Sequence, residues 1–256
     1  MDLILGACAG YPPHRIAHFA ESLRRWYEGE VVFLTAALPP ATQAMLSRHR
    51  ITQLDIDVPP PLSDIQHRRY AAYADILRDR PAVRRVLMLD VRDVWFQADP
   101  FPMLPDAPLA CFLEDQFIMH CGSNSAWIAA RYGQARLAAI GGRPISCSGT
   151  VGGTREGVLR YLALMAREVG QSPPGMPRGV DQGIHNHLLA GEIEDAVLVP
   201  NRTGLVQTLH YQQVFAFDRQ GRMVNADGRV CPVIHQFDRF PQFFPLLGIS
   251  HGSFMA

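Results

Sequence analysis

A chain of 256 residues, 48% hydrophobic and 19% charged, has the composition and length of a single α/β domain spanning residues 1–256. Its 24 basic and 24 acidic residues balance, so no basic excess points to nucleic acid or an anionic membrane. Cys8, Cys111, Cys121, Cys147 and Cys231 are scattered without a CxxC pair, which argues against a zinc finger and a disulfide framework; small buried thiols in a reducing compartment are expected. "MDLILGACAG" carries an acid at position 2 and too short an apolar run for a signal peptide, and no run of about 18 apolar residues could span a membrane. A cytoplasmic protein without a transmembrane segment is the expectation.

The first half alternates regularly. "LILGACAG" (3–10) reads as a buried strand ending in small residues, where Gly6 to Gly10 leave room for a ligand at the backbone. Pro12 and Pro13 precede a helix over 15–27, with Ile16, Phe19, Ala20, Leu23 and Tyr27 on one face. Strands follow at 30–38 and 51–58, separated by a helix at 39–50 that Pro39 and Pro40 open. A helix over 63–79, capped by Ser63 or Asp64, leads into a strand at 83–90. This order predicts a parallel sheet with helices on both faces, and ligands outside the carboxyl ends of the strands.

After Pro102 the pattern changes. A strand at 108–115 precedes a helix at 126–142, ended by Gly141 and Gly142. "PISCSGTVGGT" (144–154) is a strand and turn of small residues; the helix at 155–170 carries Val158, Leu159, Leu162 and Met165 in its stripe. A loop at 172–179 opens a short helix at 180–191. Strands are expected at 194–200 and within 206–218, and a hairpin at 221–230 with Asp227-Gly228 at its turn. The fold class is therefore α/β, a mostly parallel central sheet flanked by helices with a small antiparallel addition in the C-terminal half.

Five stretches could carry chemistry. In "VLMLDVRDVWFQADPF" an apolar strand runs into Asp90 and Asp93, and paired carboxylates at a strand tip repel unless a cation holds them. Oxygen ligands suit Mg²⁺ or Mn²⁺; equally, Asp93 pairs with Arg92, Arg84 or Arg85. In "GVDQGIHNHLL", Asp181 and His185 share a helix face, as do Gln182 and Asn186, although Asp181 also suits a helix cap. His235, closing the strand of "VIHQFDRF", is a metal ligand or a hydrogen-bonded core residue. Arg69 shares an apolar stripe with Tyr73 and Leu77 and there needs an anion, unless it sits exposed at the helix edge; Arg68 and Arg69 cannot both face inward. Gly149, Gly152 and Gly153 make a close-approach backbone that is neither a P-loop nor a dinucleotide fingerprint.

Taken in order, the strand into Asp90-Val91-Arg92-Asp93, then "SGTVGG", "DQGIHN" and "HQFDR", resemble a nucleotide-sugar glycosyltransferase of the GT-A (Rossmann-like) fold, and more narrowly bacterial and plant proteins carrying "DVRDVVFQ.DPF" and a terminal "HQYDR". The resemblance runs from "GACAGY" to "HQFDR". It implies a nucleotide-binding half at 1–101 and a sugar- and acceptor-binding half at 102–256. Asp90 and Asp93 match the acidic metal motif with one extra residue between them, and with His235 they would hold Mn²⁺ or Mg²⁺ against the donor diphosphate. Gly6, Ala7, Cys8 and Tyr11 of "GACAGY" would lie against the nucleoside, with Val91 and Arg92 in the motif. Arg69 would sit near the donor sugar or phosphates, and Gly149 would border the sugar. Asp181 and Gln182 would face the sugar or the acceptor, Asp181 as base in an inverting enzyme, either residue as a far-face stabiliser in a retaining one.

The implied partners are a nucleotide-sugar donor, with uridine diphosphate the common choice in that fold, and a carbohydrate or other hydroxyl acceptor. Two alternatives also explain carboxylates at a strand tip or a sugar-nucleotide cleft: a metal-dependent phosphohydrolase or nucleotidyltransferase, and an inactive nucleotide-sugar-binding module. The first strand ends in "GACAG" rather than the "DxDxT/V" of aspartyl phosphatases, and no glycine-rich basic loop stands near the N-terminus. In the tail "FDRFPQFFPLLGISHGSF", Phe240, Phe243, Phe244 and Leu246 lie close together; core packing is expected of them, with a hydrophobic closure over the donor site or a contact with membrane or partner as the alternatives.

Overall fold

A computed structural model describes residues 1–173 and 175–247, the side chain of Ser63 apart. The first half is β1 (Asp2–Ala9), α1 (Ala17–Arg24), β2 (Glu30–Ala36), α2 (Pro40–Arg48), β3 (Thr52–Asp55), α3 (Ile65–Arg78) and β4 (Arg85–Leu89). There follow β5 (Val94–Phe96), β6 (Leu109–Phe117), α4 (Gly122–Ile140), β7 (Pro144–Thr154), α5 (Arg155–Gly170) and α6 (Val180–Leu189). The chain closes with β8 (Ala196–Val199), β9 (Val206–Thr208), β10 (Ala216–Phe217), β11 (Met223–Val224) and β12 (Val233–His235).

The seven-stranded central sheet has the order β3-β2-β1-β4-β7-β6-β8. Its pairs are parallel except around β7, which runs antiparallel to both β4 and β6. Strands covered on both faces run mostly apolar, as β1, β2 and β4 do after their charged first residues Asp2, Glu30 and Arg85. Their side chains alternate between two cores. Ile4, Phe33 and Leu87 pack with Phe19, Leu23 and Leu46 of α1 and α2. Leu3, Leu5, Val32, Leu34, Val86 and Met88 face Tyr73 and Leu77 of α3 and Leu162 and Met165 of α5.

A second, three-stranded sheet, β5-β12-β9, folds the C-terminal region back onto the segment after β4. β12 pairs antiparallel with β5 and parallel with β9, setting His235 opposite both Val94 and Thr208. Buried Gln97 locks this return: its Nε2 donates to the carbonyls of Met223 (3.0 Å) and Cys231 (2.9 Å), and its Oε1 accepts from Met223 N (2.8 Å). The antiparallel β10–β11 ribbon is the small C-terminal addition.

Several elements differ from expectation. The helix expected at 126–142 starts at Gly122, where the Cys121 side chain accepts from Asn124 N, and breaks at Gly133 (φ 81°), a conformation only glycine adopts without cost. The strand expected over 51–58 is shorter, ending at Asp55. Between Thr208 and Ala216 the chain turns rather than extends, with Gln212 N donating to Leu209 O. The β10–β11 ribbon turns at 218–222, where Asp218 Oδ1 accepts from Gln220 N and Arg222 N; Asp227-Gly228 makes the expected second turn, with Asn225 N donating to Arg229 O, Cys231 N to Met223 O and a bridge from Val224 to Val230. Asp64 stands at the start of α3 without a side-chain capping bond, and the Ser63 alternative lies outside the described side chains. Phe237 and Phe244 are fully buried with Trp95, Leu209 and Ile234, and the tail from residue 248 onward lies outside the described residues. No helix among the described residues is long and apolar enough to cross a membrane.

Thr154 caps α5 by accepting from Gly157 N at 3.2 Å, and Gly157 lies so close to the 108 backbone that an added Cβ would fall 1.9 Å from Pro108 O. Backbone cannot move aside as a flexible side chain can. Gly157→Ala is therefore expected to cost about 2–3 kcal/mol in urea unfolding; an unchanged midpoint would show that β6 yields at its start.

Candidate active site

The strand tip is built by a glycine. Asp90 follows β4 directly, its N–H donating to Gly149 O at 2.7 Å across to β7. A Cβ on Gly149 would lie 2.1 Å from Asp90 Oδ2, so only glycine leaves room for the carboxylate.

Arg69 reaches this carboxylate from α3. Its Nη1 donates to Asp90 Oδ1 at 2.9 Å, and its Nη2 to Asp181 Oδ2 at 3.1 Å on α6. Tyr70 OH donates to the same Asp181 oxygen at 2.9 Å. The anion that a buried arginine requires is thus supplied by two of the chain's own carboxylates, while Arg68 is exposed. Burial lowers the Arg69 pKa, but Tyr70, Asp90 and Asp181 outweigh it and raise it well above the ordinary arginine value. Asp181 is not the helix cap; that position belongs to Gly179 (φ 87°). It is 4% exposed and faces Arg69 instead of open solvent.

The rest of α6 docks against β7. Asn186 accepts from Ser146 N and donates to Ser146 O, both at 2.9 Å. His185 is a core residue between Tyr161 OH and Ser146 Oγ, 2.9 Å from each, and burial followed by Arg69 lowers its pKa to about 3. Gln182 Oε1 accepts from Ser148 N (3.2 Å) and Ser148 Oγ (3.4 Å).

His235 completes the cluster from β12. Thr208 Oγ1 lies 3.2 Å from its Nδ1 and fixes the ring. Its Nε2 is buried, has no hydrogen-bond partner among the described residues, and lies 4.0 Å from Asp93 Oδ1. Ligand atoms of Asp90, Cys147 and His235 all lie within 4.8 Å of one another. Burial, then Glu114 and Asp90, pushes the Cys147 thiol well above its ordinary value in the metal-free protein, and the oxygen and imidazole donors stand beside it. Those donors fit a hard divalent cation. Asp93 is also 3.5 Å from Arg92 Nη2, the pairing considered from sequence, and Arg92 in turn donates to Asp238 at 2.9 Å.

The two acids of the tip are driven apart. Burial raises the Asp90 pKa, but Arg69, His235 and Arg92 outweigh it and hold it below the ordinary value. Burial, Asp90 and Asp238 push Asp93 upward against the pull of His235 and Arg92. One carboxylate is thus fixed as an anion, while the other is poised to gain from a cation.

A cavity of about 310 Å³ opens over this tip, at the carboxyl ends of β1 and β4. Ala7, Cys8, Tyr11, Arg69 and the run Asp90, Val91, Arg92 and Asp93 line it. Gly6 lies beneath, where an added Cβ would meet Val91 Cγ1 at 2.5 Å. Gly149 stands behind Asp90; Gln182, Asp181 and His235 are in the surrounding walls and do not line the cavity. Gln66 and Arg178 line it and were not singled out from sequence. Gln66 lies one helical turn before Arg69, a signal that could have found it; Arg178 sits in a loop without periodicity, where nothing marks it.

No family model matches the chain, and no curated protein is similar to it.

Removing Arg69 leaves Asp181 buried beside a tyrosine hydroxyl alone. Arg69→Met is expected to lose about 3–5 kcal/mol in chemical denaturation, and adding Asp181→Asn should return part of that loss. A single variant as stable as wild type would show that the bridge does not hold α3 to α6.

Proposed function

We propose that the chain is a GT-A-type glycosyltransferase, moving a sugar from a nucleoside diphosphate sugar, with uridine the expected base, to an acceptor hydroxyl with the aid of Mn²⁺ or Mg²⁺. The observation that carries the reading is the acidic tip at the sheet's switch point, facing an imidazole nitrogen without a hydrogen-bond partner among the described residues. From β1 the sheet extends through β2 to β3 on one side and resumes at β4 on the other, and ligands of open α/β sheets bind in the crevice between such strands.

Asp90, Asp93 and His235 would hold the ion, whose chemistry is to offset charge on the departing diphosphate. The chain's own groups do the remaining work. Ala7 and Cys8 give the nucleoside an apolar, close-approach floor, with Tyr11 beside them. Arg178, lining the cavity, supplies positive charge for phosphate oxygens, while Arg92, also in the lining, is shared with Asp238 and Asp93. Arg69 is already committed to carboxylates, so it positions Asp90 instead of holding phosphate. In the transfer the bond from the anomeric carbon to the phosphate oxygen breaks, its electron pair leaves with the diphosphate, and the acceptor oxygen bonds to that carbon.

Thermal unfolding with UDP-, GDP- and CMP-sugars, with and without Mn²⁺, tests this. One sugar nucleotide with Mn²⁺ is expected to raise Tm by roughly 5–10 °C at a hundredfold excess over Kd, with either component alone giving far less. No shift with any of them would sink the reading.

Asp93 gives a second prediction with an opposite sign. Its pKa is raised in the fold, so its ionised form is the disfavoured one, and stability falls as pH rises through the folded pKa. At neutral pH, Asp93→Asn is therefore expected to raise Tm without metal while abolishing the shift caused by Mn²⁺. A variant that keeps the Mn²⁺ shift would remove Asp93 from the metal site.

A further inference from the structure

In the sheet beyond the donor pocket, outside its lining, stands an acid that the reading above leaves unused. Glu114 stands in β6, one residue past the Leu113–Ser146 pair with β7. It is 6% exposed, and its Oε1 is buried without a hydrogen-bond partner among the described residues. Such an atom weakens a fold unless it serves another purpose.

Its neighbours leave that oxygen open. On α6, Gln182 gives its carbonyl to Ser148, which leaves its amide to hydrogen-bond Glu114. Among the described residues Arg239 after β12 pulls its pKa down, and Glu114 in turn raises that of Cys147 of β7 and Tyr211 after β9. The Tyr211 hydroxyl donates to Cys121 Sγ at 3.0 Å, and Arg239 Nη1 donates to Asp238 at 3.1 Å.

The sheet order fixes where this acid lies. β6 is two strands from β4, with β7 between. At a spacing of about 4.8 Å per strand, Glu114 stands roughly 10 Å along the sheet from the acidic tip. If a donor's diphosphate sits at Asp90 and its sugar extends across β7, over Gly149 and Ser148, Glu114 flanks the far side of that sugar. Asp181, by contrast, is occupied by Arg69 and Tyr70.

We propose that Glu114 is the base of the transfer and that the acceptor hydroxyl is seated over β6 beside Gln182. This rests on the glycosyl-transfer reading. The acceptor O–H bond breaks and its proton passes to Glu114 Oε1; the acceptor oxygen bonds to the anomeric carbon, and the nucleoside diphosphate leaves with the former bonding pair. Displacement from the far face inverts the anomeric configuration. Burial pushes the Glu114 carboxyl up to about 7, against Gln182 and Arg239, which matches a base working near neutral pH.

The test is steady-state hydrolysis of the sugar nucleotide that stabilises wild type, with Glu114→Gln and Glu114→Asp, alongside UDP affinity with Mn²⁺ by calorimetry. Glu114→Gln is expected to lower kcat about a hundredfold or more while UDP affinity stays within twofold. The wild-type rise of kcat/KM through about pH 7 should vanish in it, and the first sugar released by wild type should have inverted configuration by proton NMR. Should Glu114→Gln fail to fold, Glu114→Asp carries the test, with at least a tenfold loss expected. Turnover within threefold of wild type in a folded variant overturns the proposal, as does a retained configuration. So does a wild type that binds the donor and leaves it intact, since an open base beside the anomeric carbon activates water. If wild type binds no sugar nucleotide at all, the glycosyl-transfer reading has failed, a result distinct from an active Glu114 variant.

Discussion

The buried Arg69 guanidinium, bridging Asp90 and Asp181, is the constraint on which the site depends. An arginine on an apolar helix face must bring its counter-charge with it, because an unpaired buried charge costs several kcal/mol. Here the two counter-charges come from different elements, the tip of β4 and the first turn of α6. One planar fork therefore fixes α3, β4 and α6 relative to one another. Tyr70, next to Arg69, supplies a second donor to Asp181 and seats the same junction.

That arrangement divides the labour among the acids. Arg69 holds Asp90 ionised at the edge of the cavity, where its side chain keeps 39% of its exposure. Asp93 has Arg92 only at 3.5 Å, shared with Asp238, and its charge is disfavoured, which leaves free energy for a cation to recover. Asp181 is consumed structurally. Glu114, with no cation bonded to it among the described residues, is pushed up to about 7 by burial. Asp90, Asp93 and Glu114 thus shift in different directions or by different causes because each meets a different mixture of burial and positive charge.

The small β5-β12-β9 sheet matters as much as the central one. Without it His235 would be about 140 residues away along the chain and unconnected to the tip; with it, pairing to β5 places the imidazole beside Asp93. Gln97, three residues past Val94, secures the return by hydrogen bonds to backbone on both sides of the 223–231 loop. The stretch from Asp90 to Gln97 therefore both carries acids and anchors the strand that brings their histidine.

The sequence by itself determined the elements of the first half, the tip at Asp90, and Arg69 as a residue that must face an anion, because period, apolar runs and the cost of buried charge act within a few residues. It also placed the small-residue floor Ala7 and Cys8 at a strand end. It could not say which anion Arg69 meets, since Asp181 lies 112 residues away and only the docking of α6 onto β7 brings it there. Nor could it mark Glu114, which reads as one acid at the end of an ordinary strand; its basicity arises from burial under α6 and the C-terminal return. It also read α4 as unbroken, although Gly133 turns it through a positive φ. Local chemistry is written in neighbouring residues, whereas the pairing of groups far apart in the chain is decided by sheet order and helix docking, which exist only once the fold has closed.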